Sequence, residues 1–135
     1  MKLLPTVAVG ILFLASCKKT NEKLLVGSWE VVKVEYAADG VNFEIDEENC
    51  VNDDIWTFTK DNTLEINQGL TCAGSTALET MWTLTDDDQT IIYTYEGITG
   101  EYYSTIVELT KKSFVEEFET GQVNGSRIRN TFSKL

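Results

Sequence analysis

The sequence predicts an all-β protein, an antiparallel up-and-down β-barrel of about eight to nine short strands. Three observations lead to this fold class. From Leu24 onward apolar and polar residues alternate with a period of two, turn-forming residues interrupt the alternation at intervals of roughly 8 to 12 residues, and no apolar stripe has helical spacing over a useful length. Closing such a meander into a barrel removes the exposed strand edges that promote aggregation.

The N-terminal segment is predicted to be an export signal. Lys2 supplies a positive charge, residues 3–14 are mostly apolar and too few to span a bilayer as a helix, and Leu14-Ala15-Ser16-Cys17 follows. This tetrapeptide resembles the lipobox of bacterial lipoproteins at all four positions. The resemblance implies that residues 1–16 are removed as a signal peptide, and that Cys17 carries a diacylglyceryl group and an amide-linked acyl chain such as palmitate.

Residues 17–23 are then the lipidated cysteine and a polar tether, and residues 24–135 are a single β domain. Two or more acyl chains anchor a protein durably, so the first predicted partner is a membrane, reached through the lipid on Cys17. The predicted location is the cell envelope, with the outer membrane as the commoner destination of such lipoproteins. Lys18 and Lys19 do not decide which side of that membrane the domain faces.

Charge and composition exclude several classes of function. The formal net charge is −11, which disfavours binding to nucleic acid, and the absence of histidine removes the commonest general base and metal ligand. The adjacent acids Glu116 and Glu117 point to opposite faces of a strand, so they do not form a catalytic pair. We therefore predict no catalytic residues, no metal site and no cofactor.

The alternation places nine strands at residues 27–36, 41–45, 55–59, 63–67, 78–85, 89–96, 101–109, 113–120 and 126–133, with sequential strands pairing. Turn residues that tolerate positive φ separate most of them, as in Lys60-Asp61-Asn62 and Asp86-Asp87-Asp88. The inward-facing positions are Trp29, Val31, Trp56, Phe58, Leu64, Ile66, Trp82, Leu84, Ile91, Tyr93, Tyr95, Phe114, Phe118, Ile128 and Phe132. Ordinary core packing explains all of these positions, and lining of a cavity is the alternative.

The two remaining cysteines are predicted to form a disulfide. Cys50 and Cys72 each lie eleven residues from Asp61, so an unbroken hairpin centred there places them opposite one another. The same register pairs Trp56 with Ile66 and Phe58 with Leu64. A reactive or metal-binding thiol pair is the alternative, but no histidine or basic residue adjoins either cysteine.

Three motifs resemble the lipocalin-like domain of small Gram-negative bacterial lipoproteins. They are Leu25-Val26-Gly27-Ser28-Trp29, the block from Cys50 to Phe58 with Asp61-Asn62-Thr63 after it, and Cys72 before Trp82-Thr83-Leu84. The resemblance implies a barrel whose end is closed by Trp29, with Arg127 or Arg129 lying across its indole. It also implies a small apolar or amphipathic ligand, for which the candidate interior residues are Trp29, Trp56, Phe58, Trp82, Tyr93, Tyr95, Phe118 and Phe132.

Two functions from different classes remain open at this stage. The first is a binding module for a small apolar or amphipathic molecule, which Tyr102 and Tyr103 would also help to hold. The second is a protein-interaction module, either an enzyme inhibitor or an accessory subunit of an envelope complex. Its candidate surface is the acidic segment from Glu44 to Glu48 with Asp53 and Asp54, which could face a cationic protein such as lysozyme, although a solvated loop explains the same residues.

Overall fold

The computed structural model describes residues 20–38, 41–70, 78–121 and 125–135. One short helix precedes nine strands in this part of the chain. The elements are α1 (Thr20–Leu25), β1 (Gly27–Ala37), β2 (Glu44–Ile45), β3 (Ile55–Phe58), β4 (Thr63–Asn67), β5 (Leu78–Leu84), β6 (Thr90–Tyr95), β7 (Tyr102–Leu109), β8 (Ser113–Glu119) and β9 (Arg127–Lys134). All nine predicted strands are confirmed, and the all-β fold class with them.

The strands form a closed antiparallel barrel with one additional strand. Each strand from β3 to β8 pairs with the next one along the chain, and β1 pairs with both β3 and β9, which closes the eight-stranded ring. Along the closing seam Trp29 lies opposite Lys134 and Ala37 lies opposite Arg127, with a bulge between Val31 and Lys33. Closure leaves the ring itself without unpaired edges.

The predicted register of the β3–β4 hairpin is confirmed. Trp56 pairs with Ile66 and Phe58 with Leu64. Between the two strands Asn62 adopts a left-handed conformation with φ 69°. Asp61 accepts a hydrogen bond from the Thr63 hydroxyl at 2.9 Å. The short polar turn therefore sets the register that puts both apolar pairs on the inner face.

The pairing of β2 differs from the prediction. This strand has two residues and pairs with β1 at Glu35 and Tyr36, not with β3. The chain after it continues beside β1, because Asp46 donates its backbone N–H to Val34 O at 2.9 Å and the backbone groups of Asp53 and Asp54 bond to Val31. The segment between β2 and β3 is thus held to β1 by backbone hydrogen bonds, and β3 itself pairs with β1 on one side and with β4 on the other.

Helix α1 lies at the end of the barrel where the β5–β6 turn is found. Leu25 is fully buried in the core. Asn21 donates its side-chain amide to the backbone carbonyl of Asp88 at 2.7 Å. The structure therefore places residues 20–23, expected as part of a polar tether, in a helix that the buried Leu25 fastens to the barrel. Across the described ranges no helix has both the length and the hydropathy needed to cross a membrane.

The core is aromatic, and eleven of the predicted inward positions are buried in it: Trp29, Val31, Trp56, Phe58, Leu64, Ile66, Trp82, Ile91, Tyr93, Phe114 and Phe132. Leu84, Tyr95 and Ile128 are partly buried against them, and Phe118 is half-buried. Phe114 is central, since it stacks on Phe132 at 4.8 Å and meets Trp29 edge-on at 5.8 Å. These edge-to-face and stacked contacts fill the end of the barrel near helix α1 with aromatic rings.

Candidate functional site

One end of the barrel is closed around Trp29. The fully buried indole donates its Nε1–H to Leu25 O at 2.7 Å. The Lys134 ammonium lies 4.1 Å from the centre of the indole ring and donates to Val26 O at 2.8 Å. Gly27 has φ +126°, and a Cβ at this position would approach Lys134 Nζ to 2.5 Å. The Gly-Ser-Trp motif therefore allows the lysine to cover the indole.

The cation over Trp29 is Lys134, so the expectation that Arg127 or Arg129 lies there is wrong. In the β1–β9 register Arg129 lies opposite Glu35 and Arg127 opposite Ala37, at the far end of the strand from Trp29. Both arginines lie next to the Phe43 ring, and Arg129 Nε donates to Glu117 Oε1 at 2.7 Å. Alternation explains the outcome, because Lys134 shares the inward parity of Phe132 whereas both arginines have the opposite parity.

The opposite end of the barrel contains a cavity of about 490 Å³. Strands β3, β6, β7 and β8 and the β6–β7 turn form its wall. Its lining residues are Trp56, Tyr93, Tyr95, Glu96, Ile98, Tyr102, Tyr103, Ser104, Glu116, Phe118 and Glu119. Ile98, Tyr102 and Tyr103 are about half exposed and form the mouth, whereas Tyr93, Ser104 and Glu116 are buried at the floor. The volume is within the range of about 300 to 1,000 Å³ typical of small-molecule sites.

The walls are largely aromatic. Trp56 and Tyr93 meet edge to face with ring centres 6.1 Å apart, and Tyr95 and Tyr102 do so at 5.2 Å. The buried Nε1 of Trp56 has no acceptor among the described residues. The cavity therefore presents ring faces and edges at several angles, with a few polar atoms between them.

A carboxyl group lies at the floor of the cavity. Glu116 Oε2 accepts hydrogen bonds from Tyr93 Oη and Ser104 Oγ, both at 2.8 Å, and Oε1 accepts one from Asn130 Nδ2 at 3.1 Å. These donors come from β6, β7 and β9, so one side chain ties three strands together. The next residue, Glu117, is on the outer face and binds Arg127 and Arg129. The prediction that Glu116 and Glu117 point to opposite faces is confirmed.

Burial is the main influence on the pKa of the Glu116 carboxyl. Loss of hydration raises the pKa of Glu116, and its three hydrogen bonds offset only part of that effect. Burial, together with the neighbouring Glu116 charge, raises the pKa of the Tyr93 phenol well above its usual value. Tyr93 therefore acts as a neutral hydrogen-bond donor at physiological pH.

The structure divides the predicted interior residues into two groups. Trp56, Tyr93, Tyr95 and Phe118 line the cavity. Trp29, Phe58, Trp82 and Phe132 are not among its lining residues; they fill the core at the closed end. Glu116, Ser104 and Ile98 also line the cavity but were not among the site residues predicted from the sequence. Of the three, Glu116 was predictable, because it lies at an inward position between Phe114 and Phe118.

The acidic residues considered for a protein partner have structural roles in part. Asp53 and Asp54 accept backbone hydrogen bonds from Leu70 and Gly69, each at 3.0 Å. A Cβ on Gly69 would approach Asp53 Oδ1 to 2.0 Å, so this close contact requires glycine. The two carboxylates thus hold the chain after β4 against the chain before β3.

The cysteine predictions fall partly outside the described residues. Cys17 and Cys72 lie in ranges that the structure does not describe, so the lipid anchor and the disulfide of Cys50 with Cys72 stay predictions. Residues 53–54 and 69–70, next in line toward these cysteines, are joined by the hydrogen bonds just described. These side-chain hydrogen bonds keep the two chain segments adjacent beyond the last paired residues of β3 and β4.

Comparison with known families agrees with the barrel and its motifs. The profile of the lipocalin-like domain matches residues 25–115. The chain belongs to the lipocalin-like domain family. No curated protein matches the chain significantly.

Solved structures show the same lipocalin-like fold at low sequence identity. A lipocalin-like protein from Bacteroides uniformis is 14% identical, with a TM-score of 0.56 over 83% of this chain and 99% of its own. Bovine odorant binding protein in complex with a selenium-containing odorant is 18% identical, with a TM-score of 0.52 over 87% of this chain and 74% of its own. A deswapped triple mutant of the bovine protein gives a TM-score of 0.51 at 18% identity, over 83% and 74% of the two chains.

Proposed function

We propose that this protein is a lipid-anchored lipocalin-like lipoprotein of the cell envelope that binds a small amphipathic molecule. The observation that carries the proposal is the cavity, in which aromatic walls surround a polar floor formed by Glu116 and Ser104. Apolar walls with a few placed polar groups are the usual composition of a small-molecule site. The bovine structure with a selenium-containing odorant supports this proposal by analogy of fold.

Binding is a better account of this site than catalysis. Glu116 is hydrogen-bonded only to neutral groups among the described residues, and the sequence contains no histidine to act with it. We also give the small ligand precedence over a protein partner. Asp53 and Asp54 are engaged with the backbone of Gly69 and Leu70, which leaves the acidic surface smaller than the sequence suggested.

Ligand binding is tested with the neutral, polarity-sensitive dye N-phenyl-1-naphthylamine and the full chain in lipid nanodiscs, with empty nanodiscs subtracted. We expect saturable binding. Phe118→Ala removes an apolar wall of the cavity and should weaken binding by about 5- to 10-fold, since 1.4 kcal/mol of lost apolar contact corresponds to tenfold. The matched control is Phe43→Ala on the outer face, which should change the affinity by less than about twofold. Equal losses in both variants would argue against the cavity as the site.

Anchoring is tested by Cys17→Ser in the native host. The wild-type chain should sediment with the outer membrane and incorporate labelled palmitate. The variant, which lacks the thiol that the lipobox resemblance assigns to lipid, should incorporate none and should lose its lipid-dependent sedimentation. Cys50→Ser should leave labelling intact. Labelling of the Cys17 variant at the wild-type level would refute the anchor.

A further inference from the structure

The carboxyl of Glu116 has no positive partner among the described residues. Its three donors, Tyr93, Ser104 and Asn130, are all neutral. The nearest arginines along β9 are occupied on the outer face, where Arg127 and Arg129 pair with Glu117. An ionised Glu116 is therefore a buried negative charge that the protein solvates with dipoles alone.

The hydrogen bonding of Glu116 leaves room for one more donor. An ionised carboxylate accepts about four hydrogen bonds, two at each oxygen. Oε2 already accepts two hydroxyl groups, whereas Oε1 accepts only Asn130 from the described residues. Glu116 lines the cavity together with its partners Tyr93 and Ser104, so a bound molecule can supply an additional donor to the carboxylate.

The rest of the cavity also favours a cation. Its described lining residues include the acids Glu96 and Glu119 besides Glu116, and no lysine or arginine. Tyr95 and Tyr102 also line the cavity, with their rings nearly perpendicular in edge-to-face contact at 5.2 Å, and aromatic ring faces attract cations. Arg127 lines only a separate groove of about 740 Å³ beside the mouth, where Glu117 neutralises it.

We propose that the cavity selects amphipathic primary amines. The ammonium donates a hydrogen bond to the carboxylate of Glu116, and the apolar part of the ligand lies against Trp56, Tyr95 and Phe118. This inference rests on the proposed binding function and specifies its ligand class. The acid is desolvated when the barrel folds, so the amine loses only its own hydration on binding and gains a charge-assisted hydrogen bond in return.

The test compares three molecules that share one apolar group. 4-Phenylbutylamine, 4-phenylbutanol and 4-phenylbutanoate carry a cation, a neutral hydroxyl and an anion on the same phenylbutyl chain. Isothermal titration calorimetry is performed on the full chain in lipid nanodiscs at pH 7.5, with empty nanodiscs subtracted. We expect the amine to bind at least about 10-fold more tightly than the alcohol, as charge-assisted hydrogen bonds are roughly twice as strong as neutral ones, and the carboxylate to bind most weakly.

A pair of charge-matched variants assigns the preference to one residue. Glu116→Gln should bring the affinities of amine and alcohol to within about threefold of each other. Glu65→Gln removes the same charge from an exposed position on β4 and should keep the preference. A preference that survives in Glu116→Gln would overturn the assignment of the amine to this carboxyl.

The pH dependence of the wild-type protein gives a second measurement that does not rely on a folded variant. Several groups surround the carboxyl or share its cavity. They are Tyr93 and Tyr95 on β6, Glu96 in the β6–β7 turn, Tyr102, Tyr103 and Ser104 on β7, Glu119 on β8 and Asn130 on β9. Protonation of Glu116 removes its attraction for an ammonium, so amine affinity should fall as pH falls while alcohol affinity stays constant. A parallel dependence for both ligands would overturn the proposal.

The outcomes separate this inference from the proposed function. If none of the three phenylbutyl compounds and no dye binds, the ligand-binding function itself is wrong. If the alcohol or the carboxylate binds as tightly as the amine, ligand binding stands and the preference for amines is wrong.

Discussion

Replacing Trp29 with alanine is expected to lower the free energy of unfolding by about 3 to 5 kcal/mol, the usual range for a large buried aromatic side chain. The indole is fully buried and contacts Phe114 edge-on at 5.8 Å. Its removal also leaves Leu25 O without the Nε1 donor and Lys134 without the ring beneath its ammonium. Helix α1 then loses one of its attachments to the barrel, which adds to the cost of the cavity.

The measurement is urea unfolding of wild-type and variant chains followed by circular dichroism, with the denaturant slope compared between them. Val32→Ala is the matched control, because Val32 lies on the same strand with its side chain 52% exposed. It should cost no more than about 1 kcal/mol, because the substitution trims an exposed side chain and leaves the backbone of the strand unchanged. A Trp29→Ala loss similar to that of Val32→Ala would show that the closed end does not stabilise the barrel.

The barrel was predictable because several local signals agree with one another. Alternation fixed the face of each strand, and the left-handed residue in the Lys60-Asp61-Asn62 turn fixed the register of the hairpin around it. In a meander each turn sets the pairing of the two strands that it joins, so the turns together determine the strand order of the ring. The pairing of β1 with β9 then follows, because it joins the first and last strands of the ring and leaves neither with an unpaired edge.

The differences between prediction and structure come from contacts that are distant in sequence. Helix α1 has six residues and is too short to be stable alone. It forms because Leu25 is buried and its carbonyl is bound by Trp29. Strand β2 pairs with β1 because backbone groups of the loop after it bond to Val31 and Val34, which no periodicity reveals.

The assignment of the cation over Trp29 failed for a different reason. The resemblance implied an arginine, and both Arg127 and Arg129 lie on the last strand. The alternation that made Ile128 and Phe132 inward-facing places those arginines outside and Lys134 inside. The same parity identifies Glu116 as an inward acid. It could not show whether that acid faces a packed core or a cavity, because the answer depends on the side chains of three other strands.

Glu116→Val is expected to lower the free energy of unfolding by about 1 to 3 kcal/mol at pH 7, because buried donors that lose their acceptor carry a cost of this size each. The donors affected are Tyr93, Ser104 and Asn130. The total is less than the sum of three such costs, since the variant also removes a buried charge and thereby recovers its desolvation energy. Glu116→Gln, which keeps a carbonyl acceptor of the same length, should lose less than Glu116→Val. A valine variant as stable as the wild type would show that the network contributes no net stability.

The pH dependence of stability distinguishes the charge of Glu116 from its hydrogen bonds. Burial raises the pKa of this carboxyl above its value of 4.5 in an unfolded chain, so between the two pKa values the native state binds a proton that the unfolded state does not. Stability from this group therefore rises as pH falls through the folded pKa and levels off below about 4.5.

Hydrogen bonds lower the pKa values of Asp61 and Asp87, and these acids act in the opposite sense because their stabilisation is lost at acid pH. They are unchanged in Glu116→Gln, so their contributions cancel in the difference between wild type and variant. We expect urea unfolding from pH 7.5 to 4.5 to show the wild type gaining stability relative to Glu116→Gln as pH falls. A constant difference would mean that Glu116 has the same pKa in both states, and that the floor of the cavity is hydrated enough to solvate the carboxylate as water does.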